Sequence, residues 1–153
     1  MIVFRLVREK FSSTLSGRGA ALRGARWNSI GVELIYTAGN RSLAMAEVAV
    51  HLTLASLPSD YLMMAIWIPD DLKVIDLSIN DLPDNWNAFP HPLSTQRIGN
   101  AFVMDAKCAV LKIPSVVTSG DFNYLINPKH PDFHCITVES LERFPFDRRL
   151  FKS

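Results

Sequence analysis

The sequence has only two cysteines, Cys108 and Cys135, and they form no CxxC pair. That excludes a disulfide framework and a cysteine zinc cage, and it points to a reducing compartment. No apolar run approaches the roughly 20 residues that a membrane-spanning helix requires. The amino-terminal stretch carries Arg5, Arg8, Glu9 and Lys10 where a secretion signal would need an unbroken apolar segment, so a cytoplasmic location is expected. An excess of charge is missing too. Sixteen Lys and Arg against fifteen Asp and Glu leave +1, which provides no general field for a nucleic-acid backbone or an anionic membrane. Neither is an expected partner, and any anion must be held by a local site. No repeat, low-complexity tract or linker divides the 153 residues, so one domain over residues 1–153 is expected.

What is present suits a globular enzyme. Hydrophobic residues make up 48% and charged residues 20% of the chain, close to globular averages, and this length can bury a substantial core. Residues 2–7 are mostly β-branched and aromatic and read as a strand, whereas the Ser-, Gly- and Ala-rich residues 12–24 read as a loop. Residues 32–37 alternate with period two, which places Tyr36 on a face with apolar neighbours. Asn40 or Ser42 can cap a helix reaching about Leu57, before Pro58. Strands are expected at 61–68 and 73–77, a loop at 81–92, and a helix capped by Ser94 and reaching about Lys107. A strand over 108–117 contains Pro114, which suits an edge or a strand end. Residues 123–133, with two X-Pro steps, read as a loop before a last strand near 134–138.

Few side chains stand out chemically. The helix after Asn40 is apolar all round, as in a buried helix, except for Glu47. A buried carboxylate needs a cationic partner or a ligand hydroxyl, so Glu47 is either half of a structural ion pair or part of a site. His51 shares its face four residues on and, taken alone, is more often a satisfied core histidine. Arg26 could hold a phosphate or carboxylate, although spacing alone favours a surface arginine stacked on Trp27. Ser115 follows Pro114 and could hydrogen-bond a ribose, phosphate or amide, or merely satisfy local backbone; no G-x-S-x-G setting marks it as a nucleophile. The Gly17-Arg18-Gly19 run has Leu22 where a dinucleotide fingerprint needs a small residue. Pro131 lies between His130 and His134, which argues against a helical metal face.

Taken in order, Arg26-Trp27-Asn28, Tyr36-Thr37-Ala38, Ala46-Glu47 with His51, Ile113-Pro114-Ser115 and Asn123-Tyr124-Leu125-Ile126-Asn127-Pro128 resemble the RES-domain toxins, a family named for an arginine, a glutamate and a serine. The resemblance runs from about residue 3 to residue 140, with Ala25 where glycine is more usual before the arginine. It implies an α+β fold like that of ADP-ribosyltransferases, with a split β-sheet around an NAD-binding cleft and flanking helices. It implies NAD⁺ as substrate, cleaved at the nicotinamide–ribose bond by hydrolysis or phosphorolysis, or else used for mono-ADP-ribosylation of a protein. A non-catalytic binding module is a further alternative. The implied partner is a cognate antitoxin with an Xre-like helix-turn-helix DNA-binding region. Carried over by the match are Arg26, Tyr36, Glu47 and Ser115 as catalytic positions. Arg26, Asn28, Tyr36, Ser115 and Asn123 follow as contacts to NAD⁺, with no metal.

Overall fold

In the computed structural model, residues 1–151 are described, so residues 152 and 153 of the expected domain lie outside. Strand β1 (Ile2–Arg8) forms as expected and alternates, with Val3 and Val7 on one face and Phe4 and Leu6 on the other. It pairs antiparallel with β3 (Tyr61–Trp67), and β3 in turn pairs antiparallel with β7 (Thr137–Arg143), with a bulge at Ala65/Ile66. These strands make one half of the sheet. The other half holds β2 (Ile35–Ala38), β6 (Phe122–Ile126), β5 (Val110–Pro114) and β4 (Val74–Asp76); only β4 and β5 run parallel. Together the seven strands have the order β4-β5-β6-β2-β1-β3-β7. The halves meet where Phe4 of β1 registers with Ala38 of β2.

One face of both halves contributes to a single apolar cluster, with Val3, Val7, Met64 and Ile66 from one half and Ile35, Val110 and Ile126 from the other. The opposite face is covered by helices. Helix α2 (Arg41–Ala49) packs Leu43 and Ala44 on Leu6, Ala38 and Met63. Helix α3 (Leu93–Asp105) packs Phe102 and Val103 with Leu111, Ile113, Leu125 and Trp27. Register places Ala38 opposite Asn123, and Asn123 opposite Ile113, so both helices lie on one sheet face. No helix among the described residues is long and apolar enough to cross a membrane.

Several sequence expectations are corrected. Within the expected loop at 12–24, a short helix α1 (Arg18–Arg23) forms from Ala and Arg, good helix formers, and Gly24 ends it at φ 69°. The strand expected over 32–37 begins only at Ile35. Helix α2 stops at Ala49 rather than near Leu57, because Thr53 starts a separate turn through a reciprocal cap with Ser56. Nor is α2 buried all round: Leu43 and Ala44 are its buried residues, so it covers the sheet instead of crossing the core. In α3, Thr95 Oγ1 donates to Pro92 O, whereas the expected cap Ser94 has a buried hydroxyl that bonds no protein group among the described residues. The expected loop at 123–133 overlaps β6, because the turn chemistry takes effect only at Asn127. The last strand starts at Thr137, after a tight turn over Pro131–Cys135.

Gly99 of α3 lies so close to the Arg26-Trp27-Asn28 segment that a Cβ there would sit 1.7 Å from Trp27 O. Because the obstacle is backbone, Gly99→Ala is expected to lose about 3 kcal/mol or more of stability in urea denaturation. Gly19→Ala, in an open helical position, is expected to gain about 0.5–1 kcal/mol.

Candidate active site

The segment after α1 is held from two sides. From α3, Gln96 Nε2 donates to Ala25 O at 3.0 Å and Asn28 O at 3.1 Å, and Asn100 Oδ1 accepts from Ser29 N at 3.0 Å. From β2, the Tyr36 hydroxyl accepts from Trp27 N at 3.1 Å and donates to Asn28 Oδ1 at 2.7 Å. Asn28 is fully buried, and its Nδ2 donates to Ala20 O, Ser29 O and Val32 O. Its amide is therefore committed within the protein. The side chain of Asn28, expected to contact NAD⁺, is thus bonded to the protein on both its nitrogen and its oxygen.

The Tyr36 proton is likewise engaged. Burial pushes its phenol up from the ordinary value, against the opposing effects of the Trp27 N–H and Arg26, so the group stays neutral. A phenol already donating to Asn28 has no proton for a ligand, and what remains for a ligand is the partly exposed ring.

Arg26 leaves this scaffold toward the loop holding Trp86. Its Nη1 donates to Trp86 O at 2.7 Å and Ala88 O at 2.9 Å. Nη2 and Nε bond no protein group among the described residues, and no carboxylate lies within salt-bridge distance there. Desolvation lowers the guanidinium from its ordinary range, opposed by the charge of Glu47. Arg26 and Glu47 thus feel one another's field without touching.

Glu47 lies on the α2 face that buries Leu43 and Ala44, four and three residues earlier. The helix starts at Asn40, whose Oδ1 accepts from Leu43 N at 2.8 Å and whose Nδ2 donates to Asp121 at 3.2 Å. Glu47 Oε1 accepts from Ser115 Oγ at 3.0 Å and from Asn123 Nδ2 at 2.6 Å. The half-buried carboxylate is thus met by two neutral donors, and its Oε2 bonds no protein group among the described residues. The structural ion pair with an arginine, one reading of the sequence, is not formed.

Ser115 is 5% exposed and sits in a turn closing β5, with its oxygen accepting from Val117 N and Thr118 N, both at 3.1 Å. Its proton goes to Glu47, so it acts on that carboxylate first. Asn123 projects from β6 with Ala38 and Ile113 as its strand neighbours. Ser115 also lines a hollow of about 270 Å³ with Pro114, Gly120, Ile79 and Trp86. That is less than a drug-sized ligand usually fills, so only part of a dinucleotide could be enclosed. A larger hollow of about 620 Å³ lies beyond α2 against Leu52, Leu54 and Phe151, and none of the candidate residues lines it.

Arg26, Tyr36, Glu47, Ser115 and Asn123 are thus linked through shared partners or mutual fields. His51 is not: it is exposed, past the end of α2. His130 caps its turn by accepting from Asp132 N at 3.1 Å. Sequence reading did not single out Gln96 and Asn100, whose i, i+4 spacing was the available sign of a polar stripe. Nor did it single out Arg5, a largely buried guanidinium that donates to Ser16 O at 2.8 Å.

A mixed sheet in two halves, with helices on one face, defines the class as α+β and is consistent with the ADP-ribosyltransferase-like fold that the resemblance implies. The RES domain model matches residues 2–147, and the chain belongs to the RES domain family. It is 37% identical to "Toxin Res" of Photorhabdus laumondii, across 100% of this chain and 99% of that protein. It is 34% identical to the "Prs ADP-ribosylating toxin" of a Sphingobium species, across 90% of this chain and 87% of the relative. A chain of the M. tuberculosis MbcT–MbcA toxin–antitoxin complex shares the fold with a TM-score of 0.76 at 20% identity, over 94% of this chain and 83% of that one.

Tyr36→Phe is expected to leave Asn28 Oδ1 and Trp27 N without a partner and to cost about 1–3 kcal/mol in denaturant unfolding. The raised phenol also sets a sign. Folding keeps Tyr36 protonated, so its contribution is complete below the unfolded phenol's ordinary value of 10.0 and is lost as pH rises through the folded value. Alkaline unfolding curves should show a shallower loss of stability above that pH in Tyr36→Phe than in the wild type.

Proposed function

We propose that the chain is the toxin of a toxin–antitoxin pair and that it depletes NAD⁺ by cleaving the nicotinamide–ribose bond, with water or phosphate as acceptor. The observation that carries this reading is the unpaired opposition of Arg26 and Glu47: a cation and an anion share one site, and each keeps free valences. NAD⁺ needs such a pair, because its pyrophosphate is anionic while its reacting end is cationic. Arg26 suits the pyrophosphate through Nη2 and Nε. Glu47 suits the sugar, where breaking the bond builds oxocarbenium-like positive charge that a nearby carboxylate stabilises. The bonding pair stays with the nicotinamide nitrogen, which leaves neutral, so no strong general acid is required.

In hydrolysis the water oxygen bonds the vacated sugar carbon and its proton passes to solvent. Ser115 and Asn123 orient Glu47, and the partly exposed Tyr36 ring offers a stacking surface. The names of the Photorhabdus and Sphingobium relatives support the toxin role, and that of the Sphingobium relative favours a second reading in which ADP-ribose passes to a protein. Labelled NAD⁺ distinguishes them: free ADP-ribose, its phosphorylated form or a labelled macromolecule each identifies a different acceptor.

Glu47→Gln is expected to lower NAD⁺ turnover about 100- to 1000-fold while leaving the fold intact, measured as a time course with purified wild type and variant. Full activity in the variant would sink the assignment of Glu47. The cognate antitoxin, with an Xre-like helix-turn-helix region, is proposed to cover the cleft or its entrance. The MbcT–MbcA pairing supports an antitoxin as partner. An antitoxin complex that consumed NAD⁺ as fast as the free chain would overturn that part.

A further inference from the structure

We infer that Asn123 is a positioning residue that acts through Glu47, turning the carboxylate so that Oε2 faces the reacting sugar, rather than a residue that grips the dinucleotide. The inference deepens the NAD⁺ reading above and rests on it. Asn123 is well placed for this work because its backbone is fixed on both sides, in register with Ala38 of β2 and Ile113 of β5. From that anchorage Nδ2 reaches Glu47 Oε1 at 2.6 Å, the length of a strong charge-assisted hydrogen bond. Ser115 reaches the same oxygen at 3.0 Å. Two donors on Oε1 leave the carboxylate one way to lie and direct its unbonded oxygen elsewhere.

The other end of the amide carries a cost that the bond has to offset. Asn123 Oδ1 is buried and accepts from no protein group among the described residues. An orphaned buried acceptor is destabilising, and an apolar side chain between Ala38 and Ile113 would avoid it. The donor is also neutral. A lysine or arginine would hold Glu47 as firmly but would cancel the charge that has to stabilise the ribosyl cation. An amide orients without neutralising, and its unmet carbonyl is the accompanying cost.

The test is NAD⁺ kinetics, with thermal unfolding in parallel, on wild type, Asn123→Ala and the near-isosteric Asn123→Asp. Asn123→Ala is expected to lower kcat about 10- to 100-fold with KM for NAD⁺ within about twofold, and Tm lower by no more than about 6 °C. Asn123→Asp replaces the donor with a second acceptor beside Glu47 Oε1, so its kcat is expected to fall at least as far as that of Asn123→Ala. A raised KM with unchanged kcat would make Asn123 a direct contact to the dinucleotide and overturn the inference. So would wild-type kcat in Asn123→Ala, or a fall in Tm large enough to explain the lost rate. Wild-type protein that left NAD⁺ intact would overturn the substrate reading itself, and this inference with it.

Discussion

The arrangement turns on one carboxylate oxygen, Glu47 Oε1, held by Ser115 and Asn123. Glu47 belongs to α2, which rests on β1, β2 and β3 through Leu43 and Ala44, whereas its donors belong to the β5–β6 hairpin. Asn40 repeats the connection at the other end of the helix, capping α2 while bonding Asp121 of the same hairpin. The helix and the hairpin are therefore fastened at both ends of α2. The two donors that meet Glu47 are neutral, so its charge is oriented without being cancelled.

The second charge is prepared by a different device. Arg26 projects from a segment whose carbonyls and amides are claimed by Gln96, Asn100, Tyr36 and the buried Asn28. Its Nη1 is then drawn to two loop carbonyls rather than to Glu47. Two opposite charges in one partly desolvated site would ordinarily collapse into a salt bridge. Backbone carbonyls on one side and neutral donors on the other keep them apart.

Much of this was legible in the sequence because it depends on local signals. The β-branched and aromatic make-up of β1, the Asn40 cap and the anomaly of Glu47 in an apolar helix were all readable, and the ordered motifs placed Arg26, Tyr36 and Ser115 along the chain. The errors have physical causes. Residues 123–126 looked like a loop because Asn127-Pro128 is a strong turn signal, yet the preceding strand is stabilised by ladders on both sides, which only tertiary pairing reveals. Helix α2 ended early because the Thr53 cap competes with its continuation. The partners of Asn28 and Tyr36 lie in other elements, and no spacing in the chain announces that their polar groups are already taken.

The outer borders of the sheet have a consequence for recognition. At one border β4 is only three residues long; at the other, β7 carries a bulge in its pairing and the charged residues Glu139, Glu142 and Arg143. Short length, bulging and charge all discourage another chain from extending the hydrogen-bond ladder. Strand addition at either border is therefore disfavoured, and side chains and loops offer the better surface for recognition.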